Sequence, residues 1–183
     1  MTEKVKNVKG VMLDSMAIKR TLARISHEIV ENNEELDNVI LIGIKTRGVT
    51  LAERIKDLIR SFEGTELQTG VLDISDFRDD FTSSTIPNVP QFDFNVVGKD
   101  IILVDDVLYT GRTARAGIEA IIKVGRPRSI QLAVLIDRGH RELPIRADYV
   151  GKNMPTSRNE AVKVLLEEND DCEDKVVLLN KQI

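Results

Sequence analysis

The sequence predicts one α/β domain in which a mostly parallel central sheet is flanked by helices. Short apolar runs at residues 39–44, 101–104 and 130–136 have the length and continuity of buried strands. Segments between these runs carry apolar residues at helical spacing, and alternating strands and helices favour a parallel, covered sheet. The chain has 183 residues, enough for a single domain with a sizeable core.

Each predicted element has its own signal. Asp14 and Ser15 are N-cap candidates in front of the first helix, and Gly125 with Pro127 marks the end of the last helix. In chain order, the sequence predicts a helix over 15–32, a strand over 39–44, a helix that includes Leu51 and Ile59, a strand near Val71, a strand over 101–104, a helix over 112–123 and a strand over 130–136.

Residues 75–98 interrupt the alternation. They contain Arg78, a Thr-Ser-Ser-Thr run, Pro87 and Pro90, and few of their apolar residues have helical spacing. Because a loop this long inside a compact domain is usually functional or mobile, we predict a mobile loop over about 75–98.

Composition excludes several classes of protein. The one cysteine, Cys172, allows neither an internal disulfide nor a multi-cysteine metal site. No apolar run approaches the roughly 20 residues of a membrane span, and the N-terminus lacks the apolar core of a signal peptide. We therefore expect a cytoplasmic protein that has no membrane partner.

Charge is distributed unevenly around a net value of −4. Residues 123–163 hold nine Lys or Arg against four Asp or Glu, a local excess of +5, whereas residues 167–174 hold six acidic residues and no basic one. The basic stretch either forms one cationic face or only solvates unrelated surfaces. The acidic stretch is assigned no function.

The most informative stretch is residues 101–113. A buried strand leads to Asp105 and Asp106, and a turn with Thr110, Gly111 and Thr113 then opens a helix. A helix N-terminus favours a phosphate, and adjacent carboxylates can accept hydrogen bonds from a vicinal diol. A ribose 5-phosphate fits both features better than the alternative, in which the acids cap a helix and the glycine only turns the chain.

This stretch resembles the phosphoribosyl-diphosphate motif of the type I phosphoribosyltransferases. The resemblance implies that Asp105 and Asp106 hold the ribose hydroxyls. It also implies a diphosphate loop at residues 45–48, with a non-proline cis peptide and with Thr46 and Arg47 as contacts, and closure of the mobile loop through Arg78. The 5-phosphate would be bound by Val107, Leu108, Tyr109, Thr110, Gly111, Arg112 and Thr113.

Longer matches narrow the resemblance. Residues 42–48, 105–113, 131–135, 137–149 and 151–153 are similar to the PyrR family of bifunctional pyrimidine-operon attenuation regulators and uracil phosphoribosyltransferases. The resemblance implies a catalytic set of Arg47, Arg78, Asp105 and Asp106, and the reaction of uracil with phosphoribosyl diphosphate to give UMP and diphosphate. Mg²⁺ would be carried mainly by phosphoribosyl diphosphate, without a full protein cage, so no protein metal ligand is assigned.

Tyr109 stands where purine-salvage relatives have an acid, which favours a pyrimidine, although Tyr109 could equally pack against the sheet. The base would lie under a hood made by residues 138–165 and the C-terminal tail. Arg138 and the backbone near Val162 are the candidates for holding it. Arg138 could instead form an ion pair with Asp137 or Asp148.

The same resemblance implies binding to the leader messenger RNA of the pyrimidine operon, and a homodimer or higher assembly. Arg20, Arg24 and His27 share one face of the first helix, opposite much of its apolar stripe. The full set of candidate RNA contacts is Arg20, Arg24, His27, His140, Arg141, Arg146 and Lys152. Two alternatives stay open: a pyrimidine salvage enzyme without an RNA role, and a regulator that keeps the nucleotide site as a sensor with weak catalysis.

Overall fold

The computed structural model describes residues 8–80 and 87–180. A five-stranded, wholly parallel sheet in the order β3-β2-β4-β5-β6 forms the centre, and β1, β8 and β7 form a smaller antiparallel sheet. The predicted α/β architecture is therefore confirmed. The elements are β1 (Val8–Leu13), α1 (Ser15–Asn32), β2 (Val39–Ile44), α2 (Arg47–Glu63), β3 (Gln68–Leu72), β4 (Asp100–Leu108), α3 (Arg112–Val124), β5 (Ser129–Asp137), β6 (Tyr149–Asn153), β7 (Glu160–Leu165), α4 (Glu167–Asp170) and β8 (Lys175–Asn180).

Helix α1 shows why the predicted helices formed where their patterns indicated. Asp14 is its N-cap, and its carboxylate accepts a hydrogen bond of 2.8 Å from the backbone N–H of Ala17. Ile18, Leu22, Ile25 and Ile29, which recur at helical spacing, are all buried against the sheet.

Helices cover both faces of the central sheet, so its strands are apolar throughout. Helices α1 and α2 pack on one face together with residues of the smaller sheet, and α3 packs on the other face. All six residues of β2 are buried, as expected for a strand covered on both sides.

Strand β4 is longer than the predicted 101–104 and includes both acids. Its pairing with β2 ends at Val104, opposite Gly43, whereas its pairing with β5 continues to Leu108, opposite Asp137. Asp105 and Asp106 therefore lie beyond the last residue of β4 that pairs with β2, where one side of β4 is open to a ligand.

Four strands were not predicted: β1, β6, β7 and β8. Strands β1 and β7 contain few fully buried residues, and β1 pairs with β8, which lies at the other end of the chain. Local periodicity carries little information about such long-range pairing. The acidic stretch 167–174 includes the single turn of α4 and leads into β8.

Part of the predicted mobile loop is packed against the domain. It begins with a 3₁₀ turn at Ser75–Phe77, whose Phe77 is buried, and farther on the rings of Phe92 and Phe94 stack with centroids 4.9 Å apart. Residues 81–86, including the Thr-Ser-Ser-Thr run, lie outside the described residues. Mobility of this segment stays a prediction.

Within 8–80 and 87–180, no helix has both the length and the apolar character needed to cross a membrane.

Candidate functional site

The loop between β2 and α2 forms one wall of the site. Its Lys45–Thr46 peptide bond is cis, as the sequence resemblance implied, and Arg47 is the first residue of α2. Gly48 lies so close to β4 that a Cβ there would be 2.4 Å from the carbonyl oxygen of Val104. This contact brings the start of α2, and with it Arg47, beside the open end of β4.

The paired acids form the floor of the site. Burial, followed by the neighbouring charge of Asp106, raises the pKa of Asp105 well above its ordinary value. Burial also raises the pKa of Asp106, although the positive charge of Arg47 and nearby hydrogen bonds oppose that rise. Two like charges in one partly desolvated place favour a ligand that donates hydrogen bonds or carries a cation.

The turn after β4 and the first residues of α3, Thr110 to Thr113, form what we call the phosphate cradle. Gly111 has a φ of 91°, a left-handed conformation that favours glycine, and it turns the chain into α3. The N-cap residue Gly111 has no side chain that could cap this 13-residue helix, and the backbone N–H of Arg112 donates to the Thr110 hydroxyl at 3.3 Å. The free N–H groups and the threonine hydroxyls suit a phosphate.

These walls enclose a cavity of about 520 Å³. It brings together predicted site residues from three separate segments of the chain. It adds Asp73 and Ser75, which were not predicted as site residues, and Lys45, which lies in the predicted diphosphate loop but was not assigned a contact. The lining residues are Lys45, Thr46, Arg47, Asp73, Ile74, Ser75, Arg78, Asp105, Asp106, Val107 and Thr113.

Two arginines that were predicted to contact the ligand, Arg78 and Arg112, bind carboxylates of the protein in this structure. Arg78 forms an ion pair with Asp80, with Nε 2.8 Å from Oδ1, while also lining the cavity. Arg112 binds Asp79 and Glu142, which ties the start of α3 to the loop and to the hood. Their contacts with ligand stay predictions.

Arg138 is buried and anchors the hood. Its guanidinium lies 3.9 Å from the centroid of the Tyr109 ring, and its Nε donates to Thr156 Oγ1 at 2.8 Å. It also donates to the carbonyl oxygen of Glu160. Within the described residues, Arg138 forms no ion pair with Asp137 or Asp148, so that alternative is wrong. Asp137 forms an ion pair with Arg141 instead, and Asp148 accepts a hydrogen bond from the backbone N–H of Leu132.

In the part of the chain that the structure describes, β7 pairs with β8 alone, so Val162 lies on a free edge of β7. Backbone groups of alternate residues point to the same edge of a strand. Since the Glu160 carbonyl points at Arg138, the N–H and C=O of Val162 face the same side. This position suits the predicted role of the Val162 backbone, which stays a prediction.

The candidate RNA residues fall into two neighbouring groups. Arg20, Arg24 and His27 are exposed on α1, and Arg24 binds the carbonyl oxygens of Val150 and Gly151 in β6, next to exposed Lys152. His27 stacks on Phe62, with ring centroids 4.1 Å apart.

The second group lies in the hood. Arg141 and Arg146 line one apolar cavity with Asn153 of β6, and the His140 ring contacts the Thr156 carbonyl. Arg141 is the exception among the candidates because it is largely engaged inside the protein, donating to Tyr109 O, Ile145 O and Asp137.

One unpredicted side chain of the acidic stretch binds a residue that lines the cavity. Asp170 binds Arg47 through two hydrogen bonds. No local pattern marks this pair, because the two residues are 123 positions apart.

The fold and the cavity define a phosphoribosyltransferase, and residues 11–168 match the family described as phosphoribosyl transferase domain. Two solved structures show the same fold. They are hypoxanthine phosphoribosyltransferase of Trypanosoma cruzi, with a TM-score of 0.74 and 17% identity over 97% of this chain and 94% of that one, and hypoxanthine-guanine phosphoribosyltransferase of Bacillus anthracis, with a TM-score of 0.72 and 15% identity over 94% and 98%.

Sequence relatives give the particular family. The chain is 56% identical to the "Bifunctional protein PyrR" of Clostridioides difficile, over 93% of this chain and 97% of that protein. It is 53% identical to the protein of the same name in Bacillus subtilis, over 90% and 93%. It is 55% identical to the "Pyrimidine operon regulatory protein" of Lactococcus lactis, over 87% and 91%. The chain belongs to the PyrR family, which confirms the resemblance stated from its sequence.

Proposed function

We propose that this chain is a UMP-responsive RNA-binding attenuator of the pyrimidine operon that also converts uracil and phosphoribosyl diphosphate to UMP and diphosphate in the cytoplasm. The observation that carries the catalytic part is the convergence of Arg47, Asp105 and Asp106 on one cavity beside an uncapped helix N-terminus.

The cavity supports this chemistry step by step. The start of α3 binds the 5-phosphate, and Asp105 and Asp106 accept hydrogen bonds from the ribose hydroxyls. As the bond to diphosphate breaks, positive charge builds at the anomeric carbon and negative charge on the leaving group, which Arg47 stabilises. Closure of the 75–98 segment with Arg78 would exclude water, which otherwise hydrolyses the donor.

Mg²⁺ fits this site as an ion bound to phosphoribosyl diphosphate. Oxygens of phosphoribosyl diphosphate and waters would supply most of its ligands, and the charges of Asp105 and Asp106, which burial and mutual repulsion make costly, would be relieved by a cation bound beside them. When bound, Mg²⁺ neutralises charge on the leaving diphosphate.

The base would lie between the phosphate cradle and the hood. Arg138 lies over Tyr109, and the free backbone edge at Val162 offers one donor and one acceptor, a pattern that can pair with the edge of a pyrimidine.

The regulatory part is supported by the two basic groups on either side of β6. RNA loops are read by hydrogen bonds and by stacking on Arg, His and aromatic side chains, and this surface offers exposed arginines and the His27–Phe62 stack. A homodimer would double this cationic area.

The deciding experiment measures binding of the purified protein to its operon leader RNA, with and without UMP, across a salt series. We expect UMP to strengthen binding and salt to weaken it. Lys152→Gln should weaken RNA binding and reduce the salt slope by about 1, while UMP synthesis is retained. Lys123→Gln, an equal charge change at an exposed position in the last turn of α3 and outside both basic groups, is the matched control.

Absence of specific RNA binding in every condition would leave a salvage phosphoribosyltransferase. Equal weakening by the Lys152 and Lys123 variants would show that the RNA responds to net charge and not to this face.

A further inference from the structure

The acidic stretch between β7 and β8 docks on the helix that carries Arg47. Residues 47, 50 and 54 lie on one face of α2, and each binds this stretch. Thr50 Oγ1 contacts Asn169 Oδ1 at 2.8 Å. Arg54 binds both Glu168 and Asp174, with Nε 2.9 Å from Glu168 Oε1. The stretch is thus fixed to α2 at more than one point.

Asp170 holds the guanidinium of Arg47 in a defined orientation. Arg47 Nε lies 3.1 Å from Asp170 Oδ2, and Arg47 Nη2 lies 2.6 Å from Oδ1. The carboxylate is itself oriented, because the backbone N–H of Leu166 donates to Oδ2 at 3.0 Å. Burial acts to raise the pKa of Asp170, but the hydrogen bonds from Arg47 and Leu166 outweigh it and lower that pKa.

This pairing leaves the other edge of the guanidinium for a ligand. Arginine has five N–H donors, and the contact with Asp170 uses one on Nε and one on Nη2. Among the residues that the structure describes, none forms a hydrogen bond with Nη1 of Arg47. Arg47 also lines the cavity with Asp105 and Asp106, so its unused donors are available at the site where diphosphate would leave.

We propose that Asp170 is a positioning residue for diphosphate: it fixes one edge of Arg47 so that the opposite edge is ready to bind the leaving group. A free arginine side chain loses rotamer freedom when it binds a ligand, and this loss weakens binding. The pair with Asp170 removes part of that freedom in advance. This inference rests on the phosphoribosyltransferase function proposed above.

Asp170→Asn tests the proposal. Asparagine keeps the shape of the side chain but loses its charge. It presents one acceptor oxygen where aspartate presents two, so the pair of hydrogen bonds with Arg47 is lost. We expect about tenfold weaker binding of phosphoribosyl diphosphate with Mg²⁺, and a similar rise in its KM, the loss typical of removing a group that orients a binding residue. UMP has no diphosphate, so its affinity should not change.

Two further variants separate positioning from simple support of the fold. Glu168→Gln changes the same stretch but acts on Arg54, so it should leave both affinities unchanged. Asp170→Glu keeps the charge and should restore part of the lost affinity. Calorimetric titration gives both affinities, and thermal melts show whether each variant is folded.

Tighter binding of phosphoribosyl diphosphate by Asp170→Asn would mean that Asp170 competes with diphosphate for Arg47, which overturns the proposal. If Asp170→Asn lost affinity for both ligands equally, or if Glu168→Gln lost as much affinity for phosphoribosyl diphosphate, the proposal would be overturned in favour of a structural role for Asp170. If the wild-type protein binds UMP but its affinity for phosphoribosyl diphosphate equals that of Asp170→Asn, this inference fails and the function stands. A wild type that binds neither ligand would overturn both.

Discussion

Replacing Asp106 by asparagine should have opposite effects on ligand binding and on stability. The variant removes one of two adjacent charges in a partly desolvated site but keeps the size of the side chain. A hydrogen bond to a charged group contributes about 1.5–3 kcal/mol and one between neutral groups about 0.5–1.5 kcal/mol. The difference of about 1–2 kcal/mol corresponds to roughly 5–30-fold weaker binding of phosphoribosyl diphosphate.

The free protein should become more stable at the same time. The charge of Asp106 is, after burial, the main cause of the raised pKa of Asp105, so removing it lets Asp105 ionise at a smaller cost. We expect the Tm at pH 8 to rise by about 2–4 °C, which corresponds to about 1 kcal/mol for a chain of this length.

The pH dependence has a definite sign. An acid whose folded-state pKa lies above its unfolded value near 3.8 binds more protons in the native state, so wild-type stability falls as the pH rises through that interval. The Tm difference between Asp106→Asn and the wild type should therefore be largest at pH 8 and shrink as the pH approaches about 4.

Calorimetric titration and thermal melts on the same samples check both effects. Asp37→Asn is the matched control, because Asp37 is exposed and precedes β2, at the opposite end of the strands from the cavity. Unchanged affinity for phosphoribosyl diphosphate, or a Tm at pH 8 below that of the wild type, would refute the reasoning.

Two other substitutions test the walls of the site. Gly48→Ala would place a Cβ 2.4 Å from Val104 O, so we expect the free energy of unfolding to fall by about 1–3 kcal/mol and phosphoribosyl diphosphate to bind more weakly. Gly10→Ala, which has nothing within 4 Å, is the control, and equal denaturation midpoints for the two variants would contradict the expected close contact. Hydrogen bonds from the Ser75 side chain and backbone, and then from Lys45, lower the pKa of Asp73 to about 2. Asp73→Asn should therefore be slightly less stable than wild type at neutral pH, by less than about 1 kcal/mol because the side chain is half exposed, with the gap closing from about pH 4 to 2; a gap independent of pH would rule this out.

The candidate site was predictable where its chemistry is local. Asp105 through Thr113 form one strand, one turn and one helix start, and each of these has a signature within a few residues. Arg47 was recognised through its loop after β2. In contrast, Asp73 joins the cavity and Asp170 binds Arg47 through packing between distant segments, and no short pattern marks either residue.

The charge of the C-terminal stretch shows the limit of composition. Six acids within 167–174 indicate a solvated surface when counted alone. In the structure, Asp170 and Asp174 are oriented by backbone N–H groups and paired with Arg47 and Arg54. Composition gives the charges but not their partners.

The sequence by itself determined the order of the main elements, the parallel sheet and the phosphate cradle, because helical and strand periodicity and the turn after β4 are encoded by neighbouring residues. Only the tertiary structure decided which side chains meet. It placed Arg138 over Tyr109, directed Arg141 to the carbonyl oxygen of Tyr109 and brought Asp170 to Arg47. These contacts join segments that are distant in the chain, as in the packing of α4 against α2, and the free energy of such long-range contacts is set by the whole fold.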